Sequence, residues 1–248
     1  MKVNFEKPHK SVVIGASGSI GRACVTALSK AGADVIAIDL SNKNNIPSEK
    51  FIKCDVTSLA DIISSSKKFE KLDSVIYAVG LNYDGNVVDT NWDDYKRLMS
   101  VNLDGAFYVG SVYGKKMIEQ GAGSFVFLSS FAGLRGEAGA AAYCASKFGL
   151  IGFVESFAAE MTSHNIRVNA ISPGNVDSPM LENVAEQIAI RTKSSTAEVY
   201  NEMKTIGAAK RFVLPSEVAN LAVYLSSELS SGITGSIVKI DCGAGLDG

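Results

Sequence analysis

The chain has 248 residues, 46% of them apolar and 20% charged, with a formal net charge of −2. That length supports one large α/β domain with a full core, and the near-neutral charge offers nothing to nucleic acid or an anionic membrane. No apolar run approaches the ~18 residues that span a bilayer, residues 1–10 lack the apolar stretch of a signal peptide, and the four cysteines and two histidines are too scattered for a metal site or a histidine-based triad, so the expectation is a cytoplasmic, metal-free protein with free thiols.

Short apolar runs alternate with amphipathic stretches. Ser11–Ile14 reads as a strand, followed by a glycine-rich turn and a helix to about Lys30, with Gly32 as its C-terminal glycine. Strands follow at Ala33–Leu40 and Phe51–Val56, a helix at Leu59–Phe69 and a strand at Ser74–Val79. A long helix covers Trp92–Glu119, then come a strand at Ser124–Ser129, a helix at Ala142–Met161 and a strand at Arg167–Ile171. An irregular or helical segment runs to Phe212, and a helix at Ser216–Ser226 and a strand at Ser236–Ile240 end the pattern. Continuous apolar strands are buried on both faces, as in parallel sheets covered by helices. The expected fold is a single α/β domain over 1–248, Rossmann-like and doubly wound, with about seven parallel strands and helices on both faces.

The first strand runs into Gly15-Ala16-Ser17-Gly18-Ser19-Ile20-Gly21, where a helix opens. Glycines there let the backbone approach a pyrophosphate, and the helix N-terminus supplies free N–H groups and a favourable dipole. Asp39, at the end of the second strand, completes the dinucleotide pattern. Its carboxylate can accept the adenosine-ribose hydroxyls and would repel a 2′-phosphate, and no basic residue follows it directly, so NAD is expected over NADP. Asp55, with Val56 at the end of the third strand, lies where the adenine would sit; Asp55 either accepts the adenine amino group or caps the helix that follows.

Tyr143-Cys144-Ala145-Ser146-Lys147 sets a phenol and an ammonium four residues apart on one helix face. Tyrosine ionises near ~10, and a neighbouring cation favours the phenolate. Such a phenol can exchange the proton that accompanies hydride transfer.

With these motifs and several others in consistent order, the whole chain resembles a short-chain dehydrogenase/reductase of the single-domain type. Val101-Asn102-Leu103, Leu128-Ser129-Ser130, Arg167-Val168-Asn169, Pro173-Gly174-Asn175-Val176-Asp177-Ser178-Pro179, Ile233-Thr234-Gly235 and Ile240-Asp241-Cys242-Gly243 match the family's remaining signatures. The resemblance implies Tyr143 as general acid/base, Lys147 as its electrostatic partner and ribose ligand, Ser130 on the reacting oxygen, and Asn102 holding a water that links Lys147 to solvent. Pro173, Gly174, the Val176 backbone and Ser178 would face the nicotinamide. Three departures stand out. The spacing Gly15-x-x-Gly18-x-x-Gly21, with Ser19 at the usual second glycine, is that of the family's longer branch of epimerases and dehydratases. The family's Asn-Asn-Ala-Gly is Tyr77-Ala78-Val79-Gly80, of which only Gly80 survives, so bracing hydrogen bonds beside the adenosine must be replaced. Asp-Cys-Gly stands for Asp-Gly-Gly near the end.

The resemblance implies interconversion of a small secondary alcohol and its ketone by hydride transfer. A ketoreductase resembling 3-oxoacyl-acyl-carrier-protein reductase is an alternative within that class; a non-catalytic NAD-binding regulator and an epimerase or dehydratase are alternatives outside it. A homotetramer is expected, with Phe107, Val112, Phe153 and Phe157 on more than one helix face in modest support. Met180–Phe212, with helical apolar spacing on either side of Thr192-Lys193-Ser194-Ser195, is expected to form a lid over cofactor and substrate. Its Arg191, Lys193, Lys204, Lys210 and Arg211 either draw an anionic substrate or are simply solvated.

Overall fold

Strands β1 (Lys10–Ile14), β4 (Ser74–Tyr77), β5 (Gly123–Leu128) and β6 (Ile166–Pro173) are buried along almost their whole length. Such strands need helices on both faces, and the computed structural model, which describes residues 3–5, 9–43 and 45–246, has them. With β2 (Asp34–Asp39), β3 (Phe51–Lys53) and β7 (Ile237–Ile240) these strands form one parallel seven-stranded sheet in the order β3-β2-β1-β4-β5-β6-β7. One face packs on α1 (Ser19–Lys30) and α8 (Pro215–Ser226), through Cys24, Leu28, Val218 and Ala222. The other packs on α2 (Leu59–Ser66), α4 (Gly105–Gln120) and α5 (Ala141–Met161), through Ile62, Val109, Tyr113, Leu150 and Val154.

The expected element order holds, and the differences are local. Strands β2, β3 and β4 end at Asp39, Lys53 and Tyr77, earlier than their apolar runs. The helix expected over Trp92–Glu119 is α3 (Trp92–Met99), a π-helical turn (Ser100–Asp104) and then α4. Asp55 does not cap α2. That role falls to Ser58, whose hydroxyl accepts the Asp61 N–H, while Asp55 holds the Thr57 N–H and hydroxyl at 2.9 and 2.7 Å.

Met180–Phe212 is a pair of helices, α6 (Pro179–Thr192) and α7 (Thr196–Thr205), joined by a turn in which Lys193 has φ +58° and Ser195 with Glu198 forms a capping box. The pair has a small core of its own: Leu181, Ala185, Ala189, Val199, Met203 and Phe212. Of the four residues read as support for assembly, Phe157 is buried and Val112 and Phe153 pack against the main core, so burial on the sheet accounts for them; Phe107 is 56% exposed. Among the described residues no helix is long and apolar enough to cross a membrane, and no cluster of metal-ligating side chains occurs.

Candidate active site

Because all strands run the same way, the segments leaving β1, β2, β4, β5, β6 and β7 gather at one edge of the sheet. The strand order reverses between β1 and β4, the point where open parallel sheets form their ligand crevice. The turn after β1 is built for close approach. Gly15 has φ +87°, and a Cβ there would lie 2.7 Å from the Ala78 backbone; one on Gly21 would lie 2.0 Å from the Gly15 carbonyl oxygen. Gly18 is the N-cap of α1, with no side chain accepting the first amides and no acid in the first turn. Unclaimed amides at a positive dipole end suit a pyrophosphate. Asp39 reaches across from β2, accepting the Ser17 N–H on Oδ2 at 2.8 Å, and the Ser41 N–H lies 3.5 Å from Oδ1. The residues present therefore fit a dinucleotide. Val56 turns its side chain into the core, and Asp55 stands half-buried at the end of the β3 segment.

Helix α5 brings Tyr143 and Lys147 to the cleft, with the Lys147 Nζ 5.8 Å from the centre of the Tyr143 ring. Ser130 stands on the loop after β5, where its hydroxyl accepts the Ala132 N–H at 3.2 Å. Burial holds the Tyr143 phenol above its ordinary value; the nearby Ser130 hydroxyl opposes this and the Glu137 carboxylate reinforces it. Lys147 is 3% exposed and donates to the Leu128 carbonyl at 3.0 Å. Burial alone lowers its pKa from 10.5 to about 8. An ammonium has three donors, so further donors remain for ribose hydroxyls or water. Asn102, fully buried in the π-turn, accepts the Leu81 N–H at 2.8 Å and donates to the Leu81 carbonyl and the Ser146 hydroxyl, each at 3.0 Å. A Cβ on Gly80 would lie 3.5 Å from the Lys147 Nζ and 3.7 Å from Asn102 Oδ1, so this glycine keeps the space between them open.

A cleft of about 290 Å³ opens above this group. Ile20, Ser130, Tyr143, Pro173, Gly174, Val176 and Ser178 line it, whereas Lys147, Asn102, Asp39, Asp55 and Gly80 are not among its lining residues. The Ser178 hydroxyl caps α6 and donates to the Val176 carbonyl at 3.1 Å. The adjoining bridge uses the Asn175 carbonyl and the Asp177 N–H, leaving the Val176 N–H off the ladder.

Sequence reasoning missed the far wall. Arg191 on α6 makes a two-point ion pair with Asp84, on the loop after β4, at 2.7 and 3.1 Å. Asp84 is 6% exposed, and the guanidinium lies where a side chain on Gly139 would otherwise stand. Arg211 is held by Glu217 at 2.8 Å. Residues 84 and 191 are so far apart in the chain that no local pattern could pair them. Leu81 and Leu128 act through backbone groups and leave no mark in residue type.

Lys147 generates a test of its own. The folded protein loses its proton near pH 8 and the unfolded chain near 10.5, so between those values the unfolded state holds more protons and stability rises with pH. Below pH 8 the whole penalty for burying the charge remains, on the order of 3 kcal/mol for a difference of this size. Lys147→Met in the cofactor-free protein should therefore raise the urea midpoint at pH 7, with the gain shrinking from pH 8 to 10.5. A midpoint equal to or below that of the parent at pH 7 would remove the buried-charge account.

The comparisons with known proteins agree with this geometry. The family model described as enoyl-(acyl carrier protein) reductase matches residues 15–245. The chain is 31% identical to the 3-oxoacyl-(acyl-carrier-protein) reductase FabG of Thermotoga maritima, over 94% of this chain and 96% of that protein. It is 32% identical to dehydrogenase/reductase SDR family member 6 of Rattus norvegicus, over 95% and 96%. Its fold superposes on the aldohexose dehydrogenase of Thermoplasma acidophilum with a TM-score of 0.89 at 25% identity, covering 98% of this chain and 96% of that one. The chain belongs to the short-chain dehydrogenase/reductase family and is an oxidoreductase of that family.

Proposed function

We propose that the protein interconverts an uncharged secondary alcohol and its ketone, using NAD(H), with Tyr143 as the general acid/base. The observation that carries this reading is the convergence of Tyr143, Ser130, Lys147 and Asn102 beside a glycine turn and an aspartate suited to a dinucleotide. The bound cofactor supplies the carbon that takes or gives hydride and, when oxidised, a positive ring. Ser130 orients the reacting oxygen and steadies the phenol. Tyr143 takes the alcohol proton as hydride leaves the carbinol carbon, or returns it in reduction. Lys147 favours the phenolate and holds the ribose, and Asn102 keeps its polar floor in register. Val176, through its N–H, and Ser178 hold the carboxamide end; Asp55, Val56 and Gly80 border the adenosine.

Charge accounting supports an uncharged substrate. Among the described residues Arg211 is the cation lining the cleft, and Glu217 engages it; Arg191 behind the wall is engaged by Asp84. Glu137, Asp84 and Asp241 also line the cleft. A carboxylate or phosphate on the substrate would meet acids and find both arginines taken. A carrier-bound 3-oxoacyl thioester is the second reading, favoured by the name of the Thermotoga relative; the name of the Thermoplasma neighbour, an aldohexose dehydrogenase, points to neutral polyols.

A panel of neutral polyols, aldoses, hydroxyacids, sugar phosphates and acyl thioesters, with NAD and NADP, tests the reading. Neutral alcohols should give the highest kcat/KM, and Tyr143→Phe should lose at least about a hundredfold in rate, the low end for acid–base catalysis, while still binding NADH. A Phe variant that keeps most of its rate would refute the assignment of Tyr143, and a strong preference for anionic substrates would refute the charge accounting.

The Asp39 carboxylate both accepts ribose hydroxyls and repels a 2′-phosphate. Asp39→Ala should lower kcat/KM for NAD and raise it for NADP. A parent enzyme that already prefers NADP would refute the NAD reading directly.

The α6–α7 pair, with its separate core, reads as a lid held by the Asp84–Arg191 pair. Water exclusion under such a lid strengthens every electrostatic contact beneath it. Amides of α6 and α7 should exchange faster than those of β5 in the cofactor-free protein and slow when NADH and substrate bind. Protection equal to β5 from the start, unchanged by ligand, would make the pair a fixed wall.

A further inference from the structure

Tyr77 stands at the end of β4, where the family pattern has its first asparagine. Its ring is fully buried, tilted against Phe127 at 6.0 Å between centroids. Its hydroxyl donates to the Val101 carbonyl at 2.6 Å. Val101 lies in the π-turn between α3 and α4. In an unbroken α-helix its carbonyl would accept the N–H of the residue four places on, Gly105. Here the Gly105 N–H bonds the Ser100 carbonyl instead. The wide turn therefore takes away the usual partner of the Val101 carbonyl, and a buried acceptor left unsatisfied is destabilising. The Tyr77 phenol supplies the missing donor. Gly105 fits the same arrangement, since a Cβ there would stand 2.6 Å from the Tyr77 hydroxyl oxygen.

The next residue in the turn is Asn102. Its amide is clamped at both ends by Leu81, four residues beyond Tyr77 on the same chain segment, and by Ser146 on α5. We propose that Tyr77 is a positioning residue: by closing the hydrogen-bond gap at Val101 it fixes the π-turn, and so fixes Asn102 beside Lys147. Tyr77 is not among the residues that line the cleft. Burial pushes its phenol far above the ordinary tyrosine range, so it stays a neutral donor across the working pH range. The claim that this placement matters for turnover rests on the oxidoreductase reading, with Asn102 in the proton path of Lys147.

Tyr77→Phe keeps the ring and removes only the donor. The direct readout is the Leu81 amide, whose hydrogen bond to Asn102 Oδ1 reports where Asn102 sits. In Tyr77→Phe its exchange should quicken at least tenfold while amides of β5 keep their protection. With the neutral alcohol that gives the highest kcat/KM in the panel, kcat should fall and its pH profile should shift, with KM for NAD little changed. Gly105→Ala, which crowds the same hydroxyl, should reproduce both effects. Added to Tyr77→Phe it should cost less than on its own, because the hydroxyl is gone and only the Val56 carbonyl and Cβ, 3.1 and 3.2 Å from the new methyl, still crowd it; Gly105→Ala alone decides the matter if Tyr77→Phe folds poorly. An equally protected Leu81 amide and an unchanged pH profile in both single variants would overturn the proposal, as would a uniform loss of protection across the sheet. Asn102→Ala separates the two readings. If it frees the Leu81 amide without touching turnover, the proton-path reading fails while the positioning of Asn102 by Tyr77 stands.

Discussion

A parallel strand cannot return to its neighbour through a tight turn; it must cross back through a longer connection, usually a helix. Seven such strands in one sheet leave the amino ends on one edge and the carboxyl ends on the other. The glycine turn, Asp39, Ser130 and the Pro173-Gly174 loop all stand at the carboxyl edge because each follows a strand. Tyr143 and Lys147 come instead from inside a helix, and α5 carries them there by packing Leu150, Val154, Phe157 and Met161 against the sheet. Packing on one face of the sheet thus fixes polar geometry at its edge, and a shift of α5 along its axis would move phenol and ammonium together.

That geometry is costly in one place. Lys147 carries its charge into a site where burial opposes it, with a backbone carbonyl as its hydrogen-bond partner. A bare buried ammonium is tolerable only if the neighbouring dipoles are fixed. The Asn102 clamp on Leu81 and the Tyr77 bond to Val101 hold the adjoining backbone in place, and both depend on the π-turn. Such turns are uncommon and concentrate at functional sites. The arrangement trades helix regularity for an asparagine at a position that an α-helix of the same register would not offer.

The fold was legible because its signal is repeated: most strands carry an apolar run, and amphipathic stretches alternate with them. The placement of the candidate site was legible where residue type and spacing mark it, as at Tyr143, Lys147, Ser130 and Gly15–Gly21, which the structure gathers at one edge of the sheet. It was not legible where the backbone does the work. The π-turn leaves the apolar spacing of Trp92–Glu119 almost intact, so periodicity reads one helix where there are two. Tyr77 read as the loss of a bracing asparagine, since a strand tyrosine in an apolar run is indistinguishable from core until its hydroxyl has a partner. Asp55 offered two uses from its type alone, and the cap that it might have made belongs to Ser58. The Asp84–Arg191 pair joins segments that precede and follow α5 in the chain and exists only in three dimensions.

The pairing of Arg191 and Arg211 changes what a basic segment means. From sequence, the five basic residues of 191–211 either attract an anion or are simply solvated. In the structure each arginine already has a carboxylate at 2.7–2.8 Å. An anionic substrate recruiting either would first have to break a two-point, charge-assisted pair and leave a carboxylate behind. For Asp84, whose side chain is 6% exposed while Arg191 covers it, that abandoned carboxylate would be left on the cleft wall without its guanidinium. The same pair ties α6 to the loop after β4, so whatever draws Arg191 away also loosens the wall of the cleft. Under the neutral-substrate proposal the Asp84–Arg191 tie stays intact, whereas an anion that recruited Arg191 would gain its cation only by loosening that wall of the cleft.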